Sequence, residues 1–200
     1  MKLSIIIPVY NQEEMVIRCL DSIPKHGDME IIAIDDGSED NTLKVLKDYA
    51  KKCSQLKVVS FKQNKGVSAA RNKGINMAQG DFILFVDSDD YIYRDVFDEI
   101  YNEELGHSID IVFYDMEDNN NTVYVVDHHR IFNRVGAFKF IRKKFIGNLR
   151  FKKGLQYGED SEFHTKLMLK NPTFRCTGKV MYHYNFPREG SLTYLAHNHK

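Results

Sequence analysis

The sequence predicts an α/β fold in which a mostly parallel, Rossmann-like sheet is flanked by helices. Over the first ninety or so residues, short β-branched runs alternate with segments whose apolar residues recur at helical spacing, the pattern of parallel strands joined by crossover helices. Two of the runs, Leu3–Val9 and Phe82–Val86, are almost wholly apolar, as strands covered on both faces must be. After about residue 95 the alternation is lost, which indicates a second portion of different construction.

The first portion contains four predicted strands and three predicted helices. The strands follow from the β-branched and apolar runs, each of which ends at a polar cluster. The helices follow from apolar residues spaced three or four apart. In chain order the elements are strand Leu3–Val9, helix Glu13–Ile23, strand Glu30–Asp35, helix Leu43–Cys53, strand Val58–Phe61, helix Ala69–Ala78 and strand Phe82–Val86.

The second portion is predicted to contain two helices, two strands and a basic segment. Residues 130–153 carry nine Lys or Arg and no Asp or Glu, and their apolar residues are spaced as on one helical face. We see no linker or repeat, so the prediction is one domain over residues 1–200, with residues 1–95 and 96–200 as its halves. The other elements are helix Asp95–Leu105, strands Ile109–Tyr114 and Thr122–Val126, and helix Ser161–Leu169.

The charge balance and the cysteines exclude several classes of protein. The chain has 28 Lys+Arg against 28 Asp+Glu, whereas a dedicated nucleic-acid-binding protein usually carries a basic surplus. Cys19, Cys53 and Cys176 form no CxxC pair, which excludes zinc ribbons and favours reduced thiols. No apolar run approaches the length of a transmembrane helix or of a signal peptide. We therefore expect a cytoplasmic protein that does not bind nucleic acid.

Polar clusters follow all four strands of the first portion, where an open parallel sheet binds its ligands. Taken singly, each cluster is also compatible with a turn or a helix cap. Because the clusters follow successive strands, we expect them to converge on one crevice. They are Tyr10-Asn11, Asp35-Asp36-Gly37-Ser38, Lys65-Gly66-Val67-Ser68 and Asp87-Ser88-Asp89.

Asp87 and Asp89 are the candidate metal ligands of this crevice. Mg²⁺ and Mn²⁺ bind through one or two carboxylates while substrate phosphates complete the shell. The spacing from Asp87 does not fit an EF-hand loop, which needs Gly at its sixth position and Glu at its twelfth. A haloacid-dehalogenase-like phosphatase, with Asp87 as nucleophile, remains an alternative. Dinucleotide and P-loop fingerprints are absent from the sequence.

Three stretches closely resemble the family 2 inverting glycosyltransferases of the GT-A fold. They read SIIIPVYNQEEMVIRCLDSI, EIIAIDDGSEDNT and NKGVSAARNKGINMAQGDFILFVDSDDYI, and they lie within roughly residues 3–95 in the family's order. The resemblance implies a GT-A sheet with an acceptor-side C-terminal portion. It also implies a nucleotide-sugar donor, most often UDP-linked, and a divalent cation, Mn²⁺ or Mg²⁺, on the DxD motif.

The resemblance further implies roles for individual residues. It gives a first nucleotide-contacting segment, a base-binding carboxylate, a loop and helix that face the donor, and the DxD motif. In that order the matching residues are Pro8, Val9, Tyr10, Asn11 and Glu13; Asp36; Lys65, Gly66 and Arg71; and Asp87, Ser88 and Asp89, with Asp89 as the direct metal ligand.

Gly158-Glu159-Asp160 resembles the family's later ED motif, which implies that Asp160 is the catalytic base and Glu159 an acceptor contact or orienting partner. An inverting displacement needs a base that takes the proton of the acceptor hydroxyl. The alternative is an acidic cap at the start of the following helix. His183 stands where some relatives supply a metal ligand or a phosphate contact, and a structural histidine among aromatics is the alternative.

The predicted function is the metal-dependent, inverting transfer of a sugar from a nucleotide-diphosphate sugar to a hydroxyl of a saccharide or lipid-linked saccharide, in bacterial surface polysaccharide synthesis. A non-catalytic sugar-nucleotide-binding module is a second alternative. Residues 130–153 are either a peripheral contact with the inner face of the membrane or a solvated helix face. Arg188, Ser191 and Thr193 resemble the family's segment that closes over the diphosphate.

Overall fold

The computed structural model describes residues 2–105, 108–126, 139–155 and 157–186. Within these ranges the chain forms strands and helices that alternate over its first half. In chain order they are β1 (Leu3–Val9), α1 (Val16–Ser22), β2 (Met29–Asp35), α2 (Thr42–Ala50), β3 (Leu56–Ser60), α3 (Val67–Met77), β4 (Phe82–Phe85), β5 (Tyr91–Ile92), α4 (Arg94–Glu103), β6 (Ile111–Asp118), β7 (Val123–Tyr124), β8 (Lys139–Arg142), α5 (Lys143–Ile146), α6 (Glu159–Met168) and β9 (Phe174–Tyr184).

All the described strands belong to one sheet in the order β3-β2-β1-β4-β8-β6-β9-β5, with β7 paired to β6. β3, β2, β1 and β4 run parallel, and β6 and β9 also pair in parallel. β8 is antiparallel to both of its neighbours, β4 and β6. The predicted mostly parallel α/β sheet is therefore confirmed, and the carboxyl ends of β1 to β4 lie side by side at one edge.

The four strands and three helices predicted for the first portion are confirmed, with ends that differ by up to three residues. All seven residues of β1 and all seven of β2 are buried, because both faces of the sheet are covered. Helix α3 packs closely on this layer at Gly74, where an added Cβ would lie 2.3 Å from Cγ2 of Ile6. This close approach places Arg71, one turn earlier on α3, beside the end of β4.

The helical prediction for residues 130–153 is wrong wherever the structure describes that segment. Residues 130–138 lie outside the described residues, Lys139–Arg142 form β8, and the helix that follows is only four residues long. Ile141 is paired with Ile83 on one side and with Ile111 on the other. Sheet pairing on both sides thus overrides the helical spacing of the apolar residues.

Three other differences concern the second portion. The sequence patterns did not predict β5 or the long strand β9, which pair with each other. The last helix begins at Glu159 instead of Ser161, so Glu159 and Asp160 form its first turn rather than a preceding loop.

Among the described residues, no helix is long and apolar enough to cross a membrane.

Candidate active site

The loops after β1 and β2 are joined by hydrogen bonds from residues predicted to contact the nucleotide. The backbone N–H of Asn11 donates to Oγ of Ser38 at 3.0 Å, and Oδ1 of Asn11 accepts from the N–H of Glu39 at 2.9 Å. The Glu13 carboxylate accepts from the N–H of Asn41 at 2.8 Å. In this structure Asn11 and Glu13 therefore fix the two loops to each other.

Pro8 and Val9 end strand β1 with buried side chains, and only their backbone can face a ligand. The carbonyl of Val9 accepts from the N–H of Asp36 at 2.8 Å, which ties the end of β1 to the second polar cluster. Tyr10, the next residue, has 41% of its surface exposed. The side chain of Tyr10, unlike those of Pro8 and Val9, is therefore accessible to a ligand.

Asp36 is a buried carboxylate at the end of β2. Its Oδ1 accepts from the backbone N–H of Lys65 at 2.8 Å. Burial raises the pKa of Asp36, and hydrogen bonds from the backbone of Lys65 and Gly66 oppose the rise. The Lys65 ammonium lies 4.9 Å from the centre of the Phe61 ring. The structure thus brings the predicted base-binding carboxylate and the predicted donor-facing loop into contact.

The DxD segment after β4 alternates between enclosed and accessible residues. Ser88 and Asp90 are buried, whereas Asp87 and Asp89 are partly exposed. The hydroxyl of Tyr182, on β9, accepts from the N–H of Asp87 at 3.0 Å and donates to Oδ2 of Asp90 at 2.6 Å. Asp90 and Tyr182 therefore hold the loop from behind, so that Asp87 and Asp89 face outward.

Helix α1 supports the same loop from a second side. The guanidinium of Arg18 donates to the carbonyl of Asp89 at 2.6 Å and lies 5.0 Å from the centre of the Tyr91 ring. The Cys19 thiol is buried and donates to the carbonyl of Asp87 at 3.6 Å. Burial, together with the neighbouring carboxylates, raises the pKa of that thiol, which keeps it protonated.

Arg71 joins the DxD segment to the ED motif. Its Nη2 donates to Oδ1 of Asp87 at 3.0 Å, and its Nη1 donates to Oε1 of Glu159 at 3.1 Å and to Oδ1 of Asp160 at 2.7 Å. The Arg71 side chain is only 7% exposed. Burial alone would lower the pKa of Arg71, but the three neighbouring carboxylates raise it by more than burial lowers it. The net pKa is therefore raised, and the guanidinium stays charged. One buried cation therefore gathers three carboxylates, those of Asp87 and of the two ED-motif acids.

Asp160 faces a small pocket between the sheet and α6. Enclosure by the protein raises the pKa of Asp160, while the positive charges of Arg71 and Lys139 oppose the rise. Lys139 is 4% exposed, and burial lowers its pKa to about 8. The residues that line the pocket are Arg71, Phe85, Lys139, Ile141, Phe151, Asp160 and Phe163.

Lys139 is the functional candidate that the sequence patterns did not single out. It lies in a segment with many surface-type basic residues, and the composition alone favoured a solvated side chain. The two apolar residues of Lys139-Phe140-Ile141-Arg142 are adjacent, without the alternation of a half-buried strand, so the local sequence does not indicate that Lys139 and Ile141 share a face.

Asp87 and Asp89 fit a divalent cation that shares its ligands with a substrate. Both carboxylates are partly exposed on the same short loop, and Mg²⁺ or Mn²⁺ is commonly bound through one or two carboxylates and substrate phosphates. Within the described part of the chain, no group of three or more His, Cys, Asp or Glu is arranged to hold a metal. Additional ligands, from phosphate or water, are thus part of any such site.

His183 lies on β9 with protein partners at both ring nitrogens. Nδ1 is 3.1 Å from the hydroxyl of Tyr93, and Nε2 is 2.9 Å from Oδ1 of Asn119. The ring stacks on Tyr91 with centroids 4.3 Å apart, and burial lowers its pKa. A ligand role requires one of these nitrogens to be released, so His183 as a metal ligand stays a prediction. Arg188, Ser191 and Thr193 lie outside the described residues.

The chain belongs to glycosyl transferase family 2, whose family model matches residues 4–168. A poly(ribitol-phosphate) beta-glucosyltransferase of Bacillus spizizenii is 45% identical over 71 residues, which are 33% of this chain and 11% of that protein. A poly(ribitol-phosphate) beta-N-acetylglucosaminyltransferase, TarS of Staphylococcus aureus, is 36% identical over 70 residues, or 33% of this chain and 12% of that protein.

Solved structures agree with the family and with the predicted GT-A fold. The crystal structure of S. aureus TarS 1–349 in complex with UDP-GlcNAc has a TM-score of 0.85 and 29% identity, covering 96% of this chain and 61% of that one. The mannosyltransferase PcManGT from Pyrobaculum calidifontis, in complex with GDP-Man and Mn²⁺, has a TM-score of 0.73 and 19% identity, covering 94% and 58%. The chain thus spans about three fifths of these solved chains. Family membership removes the phosphatase alternative.

Proposed function

We propose that this chain transfers a sugar from a nucleoside diphosphate sugar to a hydroxyl group of a saccharide or lipid-linked acceptor, with inversion at the anomeric carbon. The donor is proposed to be UDP-linked, which the complex of TarS with UDP-GlcNAc supports. The acceptor belongs to bacterial surface polysaccharide synthesis, as the names of the poly(ribitol-phosphate) transferases suggest.

The observation that carries this proposal is the Arg71 cluster. Asp87 and Asp160 are 73 positions apart in the sequence, yet both carboxylates accept hydrogen bonds from one guanidinium. The acid that would hold the diphosphate end of the donor is therefore adjacent to the acid that would activate the acceptor. A single displacement needs this arrangement, because the nucleophile, the anomeric carbon and the leaving group must be held close together and in line.

Asp160 is proposed to be the general base. It belongs to the first turn of α6 and is fixed at Oδ1 by Arg71. The protein environment raises its pKa, and a carboxylate with a raised pKa is a better proton acceptor at neutral pH. Glu159, bound to the same guanidinium, is proposed to orient the acceptor or Asp160 itself.

The donor is proposed to lie across the ends of β1 to β4. Tyr10 and Asp36 are proposed to contact the base, with Lys65 and Gly66 in the loop beside it; the hydrogen bond from the N–H of Lys65 to Asp36 supports this proposal. Asp87 and Asp89 are proposed to face the diphosphate, with the buried Ser88 between them. A divalent cation, Mn²⁺ or Mg²⁺, held by Asp87 and Asp89 would offset the negative charge that develops on the leaving diphosphate.

The proposed location is the cytoplasm. All three cysteines are free thiols in the structure, as expected in a reducing compartment. Peripheral contact with a membrane through residues 130–153 has less support than the sequence indicated. Lys143 donates to the carbonyl of Ala78, and Arg150 donates to Asn76 and to nearby carbonyls, so these two cations hold the fold together.

Calorimetric titration with UDP-, GDP- and dTDP-sugars, with and without Mn²⁺, tests the donor site, and release of the nucleoside diphosphate tests turnover. We expect metal-dependent binding of a UDP-sugar, weakened in Asp89→Ala. Asp160→Asn should bind the donor normally and lose at least about 100-fold in turnover, since a general base contributes 10²–10⁴-fold. Asp48→Asn, an exposed carboxylate on α2, is the matched control and should behave as wild type.

The outcomes distinguish a sugar transferase from a non-catalytic sugar-nucleotide-binding module. If no nucleotide sugar binds in the presence of metal, the proposal fails. If a UDP-sugar binds but neither wild type nor Asp160→Asn turns it over with any saccharide or with water, the chain is a sugar-nucleotide-binding module. Full turnover by Asp160→Asn removes the assignment of the base and leaves the donor site standing.

A further inference from the structure

We propose that Lys139 is a positioning residue for Asp160: its buried ammonium group is a second cation, beside Arg71, that keeps the Asp160 carboxylate ionised and in place. This inference rests on the proposed role of Asp160 as the general base. Lys139 itself is too deeply enclosed to act on substrate, with 4% of its surface exposed.

The sheet register places Lys139 beneath the site. β8 is antiparallel to β4 with Leu84 opposite Phe140, so Lys139 comes next toward the end of β4, level with Phe85. Side chains alternate along a strand, and Lys139 therefore shares a face with Ile141. Both line the pocket that Asp160 also lines, together with three phenylalanine rings. Lys139 and Asp160 thus line one small pocket, which Arg71 also lines.

The charges around Asp160 show what a second cation supplies. Asp87, from the loop after β4, and Glu159, from α6 itself, are negative. Arg71, from α3, is positive but is shared by all three carboxylates. Without Lys139, three negative groups share one positive group. Nearby like charges disfavour ionisation and nearby opposite charges favour it, so Lys139 favours the ionised form of Asp160.

Lys139 remains a cation at neutral pH. Burial lowers its pKa to about 8, and the charge of Asp160 acts in the opposite direction and keeps the ammonium protonated. The positioning role predicts that removing the charge changes the protonation of Asp160, whereas a packing role predicts that it does not.

The test compares Lys139→Met, which keeps the volume, with Lys139→Arg, which keeps the charge. UDP release from UDP-GlcNAc with Mn²⁺ is measured from about pH 5 to pH 9. We expect the acid limb of the profile to move to higher pH by about one unit in Lys139→Met, which is about tenfold slower turnover on that limb. Lys139→Arg should retain the wild-type limb, and UDP affinity should be unchanged in both variants.

A second measurement does not depend on turnover. Carboxyl ¹³C resonances of aspartate are titrated in the free protein, with the Asp160 signal identified by its loss in Asp160→Asn. Asp160 should titrate at higher pH in Lys139→Met than in wild type. If the Met variant does not fold, Lys139→Gln replaces it in the same titration.

The two failures are distinguishable. If wild type turns over no nucleotide sugar, the proposed function fails, and the carboxyl titration still decides the role of Lys139. If folded Lys139→Met or Lys139→Gln shows the wild-type acid limb and the wild-type titration of Asp160, the positioning role is overturned, and the base assignment stands or falls by Asp160→Asn alone.

Discussion

Replacing Lys139 with methionine should stabilise the folded chain at neutral pH. Lys139 is 4% exposed, and burial lowers its pKa from 10.5 to about 8. Each pKa unit corresponds to about 1.4 kcal/mol, so a depression of about 2.5 units represents about 3 kcal/mol that the ammonium group takes from the stability of the fold. This figure already includes the attraction between Lys139 and Asp160, which raises the pKa of Lys139 and is lost in the variant.

The stability difference between Lys139→Met and wild type should decrease as the pH rises above 8. Below pH 8 both the folded and the unfolded wild-type chains hold the Lys139 proton, and the variant is more stable by a constant amount. Between pH 8 and 10.5 the unfolded chain still holds the proton that the folded chain has lost, so wild-type stability rises with pH relative to the variant. By pH 9.5, about 2 kcal/mol of the difference should have disappeared.

Urea unfolding at pH 7, 8 and 9.5, followed by far-ultraviolet circular dichroism, measures the difference. Circular dichroism is appropriate because the chain has no tryptophan. Lys152→Met, which removes an exposed lysine, is the control and should change stability by less than about 0.5 kcal/mol at each pH. A Lys139→Met variant that is less stable than wild type at pH 7, or a difference that is independent of pH, would refute the reasoning.

Three further substitutions test the site. Arg71→Met leaves three partly exposed carboxylates without their shared cation, and should lower the unfolding free energy by about 1–3 kcal/mol at pH 7; the loss should shrink toward pH 5 as Asp160, whose pKa is already raised, takes up a proton. Gly37→Ala should lower the unfolding free energy by about 1–3 kcal/mol, because Gly37 has φ +72° and an added Cβ would lie 2.6 Å from the backbone of the β3–α3 loop. Gly27→Ala is the control, since an added Cβ at Gly27 meets nothing within 4 Å. Equal urea midpoints for the two variants would contradict the close approach at Gly37. Tyr182→Phe leaves the buried groups of the DxD loop without a shared hydroxyl and should cost about 1–3 kcal/mol in the same assay, and an unchanged midpoint would show that the loop is held elsewhere.

The first portion of the fold could be predicted because its signals are local. Leu3–Val9 and Met29–Asp35 are buried on both faces, and such strands are visible as apolar runs. β8 and β9 carry weaker signals. Lys139 and Arg142 make β8 resemble a solvated segment, and β9 contains Arg175, Thr177 and Lys179. These strands are specified by partners far away in the sequence, and local patterns do not contain that information.

The candidate site, like the fold, could be predicted from the sequence only in part. The position of Asp87 and Asp89 after an apolar strand indicates the DxD acids, and the resemblance of Gly158-Glu159-Asp160 to the family's motif indicates the ED acids. Their connection through Arg71 depends on how closely α3 packs on β1 at Gly74, which no motif records. His183 was assigned by its place in the sequence, and the structure adds hydrogen-bond partners that the sequence does not indicate.

The place of β8 in the sheet constrains the order in which the chain can mature during synthesis. β4 obtains its second neighbour only when residues 139–142 are available, and β5 obtains its partner only with residues 182–183. Until then β4 presents an apolar edge with unpaired backbone groups, the kind of edge that recruits other chains. A nascent chain that stops near residue 95 would therefore be prone to aggregate, and a gene fragment for residues 1–95 is a poor unit to express on its own.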